Sequence, residues 1–150
     1  MLESYLRSHG VEARILTFSG STMTVEDAER HLGIGRDRIV KSILFTDERG
    51  LPVLGIVTGD RRVSEEKIAR ACGAKSLRKA RPRAVKGLTG FEAGALPPFG
   101  HRSRVRTYVD PKVLTLDKVY GGGGEINALL EIDPEEMVRL AEADIVDIAV

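Results

Sequence analysis

The chain has 150 residues, of which 42% are hydrophobic and 30% are charged, and its net charge is +1. These values are ordinary for a soluble globular protein and predict one domain over residues 1–150, built around one core. There is no apolar run near the ~20 residues of a membrane span, no signal-peptide pattern and only one cysteine, so we expect a cytoplasmic protein without disulfides or a membrane partner.

Helix signals recur along the chain. Ser or Thr followed by acids is a typical helix start, and glycine directly after the last apolar residue is a typical helix end. In chain order these signals predict helices over residues 2–8, from Thr24 to the residue before Gly33, over residues 65–71 between Ser64 and Gly73, and over residues 135–141 after Asp133 and Pro134.

Short apolar runs rich in β-branched residues alternate with these helices. In chain order they predict strands over residues 13–18, 39–46, 51–58, 104–109, 113–120, 126–132 and 145–149. A turn signal over residues 47–50 joins the second and third of these strands as a hairpin. The fold class that follows is α+β, with about six or seven strands in a mixed, curled or barrel-like β-sheet and peripheral helices.

Charge is distributed unevenly. Residues 61–86 contain ten Lys and Arg and two acids, a net of +8, whereas residues 125–150 contain eight acids and one Arg, a net of −7. This asymmetry indicates either a basic surface for a polyanion such as nucleic acid, or two solvated faces that attract each other within the fold. The chain also has no Gln and one Asn, a bias typical of thermophiles.

Lys41 stands at the start of an apolar strand, in the run RIVKSILF over residues 38–45. Few polar neighbours accompany it on that strand. Its charge therefore either reaches water at the strand entrance or serves to hold a phosphate or a developing negative charge.

Two glycine-rich segments are candidates for the other walls of a pocket. The run TGFEAGALPPFG over residues 89–100 combines glycines that permit close backbone approach, prolines that stiffen the chain, and apolar residues that a free surface turn would not need. The four glycines over residues 121–124 lack a following GK[ST], so a P-loop is not expected. They indicate either a flexible hairpin or backbone N–H groups that bind a carbonyl or an oxyanion.

No metal and no cofactor is expected. His9, His31 and His101 lack the spacing of metal ligands, and no serine lies in a nucleophile-elbow pattern. Cys72 lies on the apolar side of a predicted helix, which favours a core thiol over a nucleophile. His101 is either an exposed loop residue or a pocket residue.

In their order and spacing, several of these motifs resemble the YbaK / prolyl-tRNA-synthetase-associated editing domain family. They are VKSIL at residues 40–44, the loop at 89–100, VDP at 109–111 and VYGG at 119–122. The resemblance covers nearly the whole chain and implies a trans-editing hydrolase that deacylates mischarged aminoacyl-tRNA carrying a small amino acid such as Cys, Ala or Ser. The implied partners are the acceptor 3′ end of the tRNA and an aminoacyl-tRNA synthetase.

The resemblance also implies roles for individual residues. The implied catalytic residues are Lys41, which would hold the 3′-terminal nucleotide, Gly94, whose loop would shape the aminoacyl pocket, and Gly121 and Gly122, whose backbone would face the ester carbonyl. The implied substrate-binding residues are Phe18, Ser42, Leu96, Pro98, Gly100, His101, Tyr120 and Asn127. The basic residues expected to contact tRNA are Arg61, Arg62, Arg78, Lys79, Arg102 and Arg104. Because no side chain is an obvious general base, the resemblance implies that the ribose hydroxyl of the substrate orients the attacking water.

Two departures from the family pattern border this pocket. Gly123 and Gly124 stand where relatives commonly carry Lys-Arg, and the segment at residues 19–23 is shorter. A non-catalytic module that binds tRNA or a synthetase is therefore an alternative. A small nucleotide-binding protein is a third hypothesis, which rests on the glycine run alone.

Overall fold

A computed structural model describes residues 2–150. Its α-helices are α1 (Leu2–Ser8), α2 (Val25–Leu32), α3 (Glu65–Cys72), α4 (Pro82–Thr89) and α5 (Pro134–Ala141). Its β-strands are β1 (Arg14–Thr17), β2 (Val40–Asp47), β3 (Pro52–Thr58), β4 (Leu77–Lys79), β5 (Arg106–Val109), β6 (Val119–Gly122), β7 (Ala128–Ile132) and β8 (Asp144–Ile145). Three short 3-10 turns cover Arg36–Arg38, Ala93–Ala95 and Pro111–Thr115.

The strands form two sheets, and the predicted α+β class is confirmed. One sheet has the order β1-β7-β6 and is antiparallel, and the other has the order β4-β2-β3-β5-β8 and is mixed. The sheets meet at a parallel bridge between Ile39 and Tyr120. The curled arrangement thus consists of two joined sheets that do not close into a barrel.

The five-stranded sheet is buried on both faces. Successive side chains of a strand point to opposite sides, and each side of β2 packs in a different core. Val40 and Leu44 of β2 belong to the larger core, together with residues of α1, α5, the three-stranded sheet and the 89–100 loop. Phe45 and Val57 belong to a second core, which Ile68 of α3 covers. The start of β2 directly follows Ile39 and therefore lies where the two sheets join.

The helix ends follow the signals in the sequence. The Thr24 hydroxyl accepts a hydrogen bond from the Asp27 N–H at 3.0 Å, and Ser64 caps α3 in the same way at 3.2 Å. Gly33 and Gly73 end their helices with φ of 69° and 72°, a left-handed conformation that favours glycine. The predicted hairpin is also present, as β2 and β3.

Several predicted elements were wrong. Residues 113–120 are not one strand, because Pro111–Thr115 forms a 3-10 turn and β6 begins only at Val119. The strand predicted from residue 126 begins at Ala128, and the final strand is limited to β8 and a bridge between Ala149 and Val63. Two elements of the basic segment, β4 and α4, were not predicted.

Candidate active site

The seam between the two sheets contains a cavity of about 200 Å³. Ile39 forms the bridge to β6, and β4 pairs with β2 only from Phe45 onward. The cavity lies beside the start of β2, and the segment that leads into α2 lines another of its sides. It is lined by six of the residues that the sequence singled out, namely Lys41, Ser42, Gly94, Leu96, Gly121 and Gly122. We call it the lysine cavity.

Lys41 supplies a positive charge without an internal counter-ion. Its side chain is partly buried, and it forms no ion pair within residues 2–150. Burial is the main cause that lowers its pKa below 10.5, and the nearby cations Arg62 and Lys79 lower this pKa further, against the opposing effect of Asp60 and Glu26. An anionic ligand would relieve both effects, so the cavity is suited to bind one.

The glycines of the cavity are closely approached, Gly122 by loop backbone and Gly94 and Gly121 by neighbouring side chains. A Cβ built on Gly122 would lie 2.6 Å from the carbonyl carbon of Leu96, and one on Gly121 would lie 3.0 Å from a Val40 methyl group. A Cβ built on Gly94 would lie 2.6 Å from the Met23 Cε. Side chains at these positions would therefore displace either the loop or the walls of the cavity.

The loop at residues 89–100 is a fixed wall of the cavity. Phe91, Leu96 and Phe99 are 2% to 4% exposed and pack in the larger core. The Gly124 N–H donates a hydrogen bond to the Ala95 carbonyl at 2.9 Å, which ties the loop to the glycine run. These contacts exclude a free surface turn.

Three predicted substrate-binding residues lie beside the cavity and do not line it. Phe18 packs on the His31 ring with centroids 4.9 Å apart, and its backbone N–H donates to the Asn127 carbonyl at 2.8 Å. The Asn127 side chain returns a bond from Nδ2 to the Phe18 carbonyl at 3.0 Å. Tyr120 packs in the same small apolar cluster, which shares Ala28 with the cavity wall. These residues support the wall.

Three others lie behind the loop. Pro98, Gly100 and His101 line a separate, larger cavity of about 400 Å³. His101 is not an exposed loop residue, because its side chain is half-buried and its Nε2 bonds the Pro97 carbonyl at 2.7 Å, and this burial lowers its pKa. The loop thus separates two cavities, and its residues that line the one containing Lys41 are Ala93, Gly94 and Leu96.

The basic residues separate into engaged and unengaged groups. Arg61 pairs with the buried Asp110 at 2.9 Å, Arg104 pairs with Glu142 at 3.3 Å, and Arg102 donates to the Gly87 carbonyl at 3.5 Å. In contrast, the ion pairs within residues 2–150 include none of the group Lys41, Arg62, Arg78 and Lys79. Two of these cations, Arg62 and Lys79, lie close enough to Lys41 to lower its pKa.

The cavity also has a wall that was not among the predicted site residues. Met23, Val25 and Ala28 line it from the segment before α2 and from α2 itself. The sequence carried a signal for two of them, since an apolar residue before an N-cap often packs against the fourth helical residue. Met23 precedes the Thr24 cap and Ala28 occupies that fourth position.

Comparison with known proteins identifies the family. A family model described as an aminoacyl-tRNA editing domain matches residues 19–140. The chain belongs to the aminoacyl-tRNA editing domain family. The matched residues include those that line the lysine cavity.

Individual relatives agree with this assignment. The editing domain is 30% identical to the uncharacterized protein YwhH of Bacillus subtilis (strain 168), over 84% of this chain and 80% of YwhH. It is 36% identical to a proline–tRNA ligase of Nitratidesulfovibrio vulgaris (strain DP4) over 60% of this chain, but spans only 16% of the ligase. A crystal structure described as a candidate trans-editing enzyme for prolyl-tRNA synthetase matches with a TM-score of 0.91 and 32% identity, over 99% of this chain and 94% of that one.

None of the helices within residues 2–150 has the length and apolar character of a membrane span.

The polar side chains that line the cavity come from Thr22, Thr24, Lys41 and Ser42, so the described lining offers no carboxylate or imidazole as a general base. The chemistry available to the site is therefore positioning and electrostatic stabilisation.

Proposed function

We propose that this protein is a trans-editing hydrolase that removes a small amino acid, such as Ala, Cys or Ser, from mischarged tRNA. The observation that carries the proposal is Lys41, a desolvated cation without an ion pair in a cavity walled by Gly94, Gly121 and Gly122. Action in trans is supported by the trans-editing description of a protein that matches this chain over nearly its whole length.

In the proposed reaction, water adds to the acyl carbon of the aminoacyl ester. The ester C–O bond breaks, the ribose oxygen receives a proton, and the products are a free amino acid and tRNA with a free 3′ end. Lys41 contacts a phosphate of the terminal nucleotide, which fixes the ester against the glycine wall. The vicinal ribose hydroxyl orients the water, because the cavity lining supplies no side-chain base.

The tRNA approaches over the unengaged cations. Arg62 and Lys79 lie close enough to Lys41 to influence its pKa, and a strand of phosphates that passes them enters the cavity at Lys41. Arg61 is neutralised by the buried Asp110, so we assign it to the fold and not to RNA binding, whereas Arg104 forms only an exposed pair with Glu142.

The experiment is a deacylation panel with Ala-, Cys- and Ser-charged tRNA, measured for the wild type and for Lys41→Met. The variant keeps the aliphatic stem of the lysine and removes its charge. We expect deacylation to fall at least about 100-fold, as when a group that stabilises transition-state charge is lost. The unfolding free energy at neutral pH should not fall by more than about 0.5 kcal/mol, because a desolvated and repelled charge is removed.

The matched control is Lys75→Met, which removes the same charge from an exposed lysine outside the lysine cavity. This variant should keep wild-type activity. Full activity of Lys41→Met would refute the role of the lysine. Salt-sensitive tRNA binding without hydrolysis of any substrate would instead support the non-catalytic module.

A further inference from the structure

The cavity of about 400 Å³ behind the 89–100 loop, which we call the second cavity, has no part in the proposed reaction. Its volume lies within the range of about 300–1,000 Å³ that is usual for small-molecule sites. β8 pairs with β5 only at Tyr108 and Val109, and the lining residues 103–107 precede that pairing. Residues of α1 and the end of α5 complete the wall. Segments that are distant in sequence therefore surround one space that is large enough for a small molecule.

One wall of the second cavity carries negative charge that the fold scarcely neutralises. Asp144 is exposed and forms no ion pair within residues 2–150. The ion pair of Glu142 with Arg104 at 3.3 Å joins side chains that are 69% and 86% exposed, and such pairs contribute little to stability. Glu142 also caps the end of α5, where the last helical carbonyls add a partial negative charge. This wall is suited to a cationic group.

The Tyr108 hydroxyl belongs to the same wall and lacks a hydrogen-bond partner. Tyr108 lines the cavity and is only 6% exposed, yet its hydroxyl forms no hydrogen bond within the described chain, residues 2–150. A buried tyrosine hydroxyl usually has such a partner. Burial is the main cause that raises the pKa of Tyr108, and the charge of Asp144 raises this pKa further, against the opposing effect of Arg106. The hydroxyl and the Asp144 carboxylate therefore lie near each other, and an ammonium group in the cavity would donate to both.

The second cavity also offers a positive group and apolar surface. Ser103 and Arg104 are consecutive lining residues, and a guanidinium beside a hydroxyl is suited to a carboxylate. The apolar surface comes from three lining residues that are at most 9% exposed, namely Phe99, Val105 and Leu140. The acidic wall would repel a simple anion, and Arg104 would repel a simple cation. A ligand that carries both charges fits the whole lining.

We propose that the second cavity binds a free α-amino acid with an apolar side chain, in its zwitterionic form. The ammonium group donates to the Asp144 carboxylate and the Tyr108 hydroxyl, and the carboxylate accepts from the Arg104 guanidinium. The side chain of the ligand packs on the buried apolar residues of the lining. The site goes beyond the proposed function, because it lies outside the lysine cavity and requires no deacylation.

The test is a calorimetric titration of the full chain with L-leucine. Leucine is larger than the amino acids that the proposed reaction releases, so its binding is distinguished from retention of a product in the lysine cavity. Two analogues each lack one charged group: 3-methylbutylamine lacks the carboxylate, and 4-methylpentanoate lacks the ammonium group. Both should bind at least about tenfold more weakly than leucine, because each loses charge-assisted hydrogen bonds. Equal or tighter binding of either analogue would overturn the recognition of a zwitterion.

Variants locate the binding site. Asp144→Asn should weaken leucine binding at least about tenfold, and Tyr108→Phe should weaken it by about three- to tenfold. Neither change removes a partner from the fold, so both variants should keep the wild-type denaturation curve. The matched control Asp117→Asn alters an exposed carboxylate that lines neither this cavity nor the lysine cavity, and it should keep wild-type affinity.

Two results would reject the site. Binding of leucine that is unchanged in Asp144→Asn but lost in Lys41→Met would assign the ligand to the lysine cavity instead. Absence of leucine binding up to about 10 mM, the weakest dissociation constant expected for a ligand of this size, would overturn the inference. Leucine binding with the expected loss in Asp144→Asn supports the site even if the protein deacylates no tRNA.

Discussion

Replacement of Gly122 by alanine tests whether the glycine wall is rigid. The new Cβ would lie 2.6 Å from the Leu96 carbonyl carbon and still closer to the carbonyl oxygen, whereas ordinary contact begins at 3.4 Å. The loop would have to move by more than 0.8 Å, the difference between 3.4 Å and 2.6 Å, because the carbonyl oxygen lies closer than the carbonyl carbon. The hydrogen bond from the Gly124 N–H to Ala95 and the burial of Leu96 both oppose such a shift.

Two consequences are expected for Gly122→Ala. Overpacking against a fixed backbone should lower the unfolding free energy by about 1–3 kcal/mol. Because a displacement near 1 Å can reduce activity about 100-fold, deacylation of the preferred tRNA should fall by a similar factor. Single-turnover deacylation and chemical denaturation measure the two effects.

The matched control is Gly87→Ala on α4, where an added Cβ meets no atom within 4 Å. This helical replacement should raise the unfolding free energy by about 0.5–1 kcal/mol and leave deacylation unchanged. If Gly122→Ala retained both wild-type activity and wild-type stability, the wall would be adaptable and the reasoning would fail.

Two further predictions concern RNA binding and pH. The double variant Arg62→Ala and Lys79→Ala should reduce the slope of log tRNA affinity against log salt concentration by about 1.4, because each contact to a single-stranded phosphate contributes about 0.7. The control variant Arg139→Ala should keep the wild-type slope. Equal slopes for the double variant and the wild type would contradict the proposed RNA path. Burial lowers the pKa of His101 below 6.5 in the folded protein, so the unfolded chain binds a proton at this residue at a higher pH than the folded chain does. The unfolding free energy should therefore fall as the pH drops below 6.5 and level off below the folded-state pKa. His101→Gln removes this titration, and denaturation curves between about pH 7.5 and 5.5 should then show a smaller loss than the wild type.

Local signals in the sequence predicted local structure well. The caps at Thr24 and Ser64 and the glycine ends at Gly33 and Gly73 are determined by neighbouring residues, and each is present. Elements that depend on distant partners were missed. β4 is only three residues long and exists because it pairs with the end of β2. The division into two sheets depends on which strands meet, and no short motif encodes that.

The site shows the same limit. Sequence order placed Lys41, Gly94 and Gly121 in one pocket, and the structure brings all three to the same cavity. Sequence order could not show that the loop leaves the lysine cavity after Leu96, so that Pro98 and His101 line the second cavity instead. Side-chain direction within an irregular loop depends on tertiary packing, which neither spacing nor composition reports.

The departure at Gly123 has a structural explanation. A Cβ at this position would lie 2.6 Å from the Ala128 backbone, and Gly124 has a φ of 90°. A side chain at Gly123 would collide with β7, and one at Gly124 would be strained. The two glycines are thus required by the path of this chain, so their presence does not by itself indicate a loss of activity.

The basic and acidic segments of the sequence scarcely pair with each other inside the fold. One ion pair within residues 2–150, Lys67 with Asp147, joins the basic segment at residues 61–86 to the acidic segment at residues 125–150. The other paired acids of the acidic segment bind cations elsewhere, namely Arg14, Lys118, Arg139 and Arg104. Direct ion pairing between the two segments is therefore limited to this one contact. The adjacent residues Arg61 and Arg62 illustrate the division, since the first neutralises Asp110 and the second faces Lys41. Among residues 2–150, Arg62 and Lys79 form no ion pair and lie near a partly buried lysine, so an external polyanion would stabilise them, and this is the physical reason for the proposed path of tRNA.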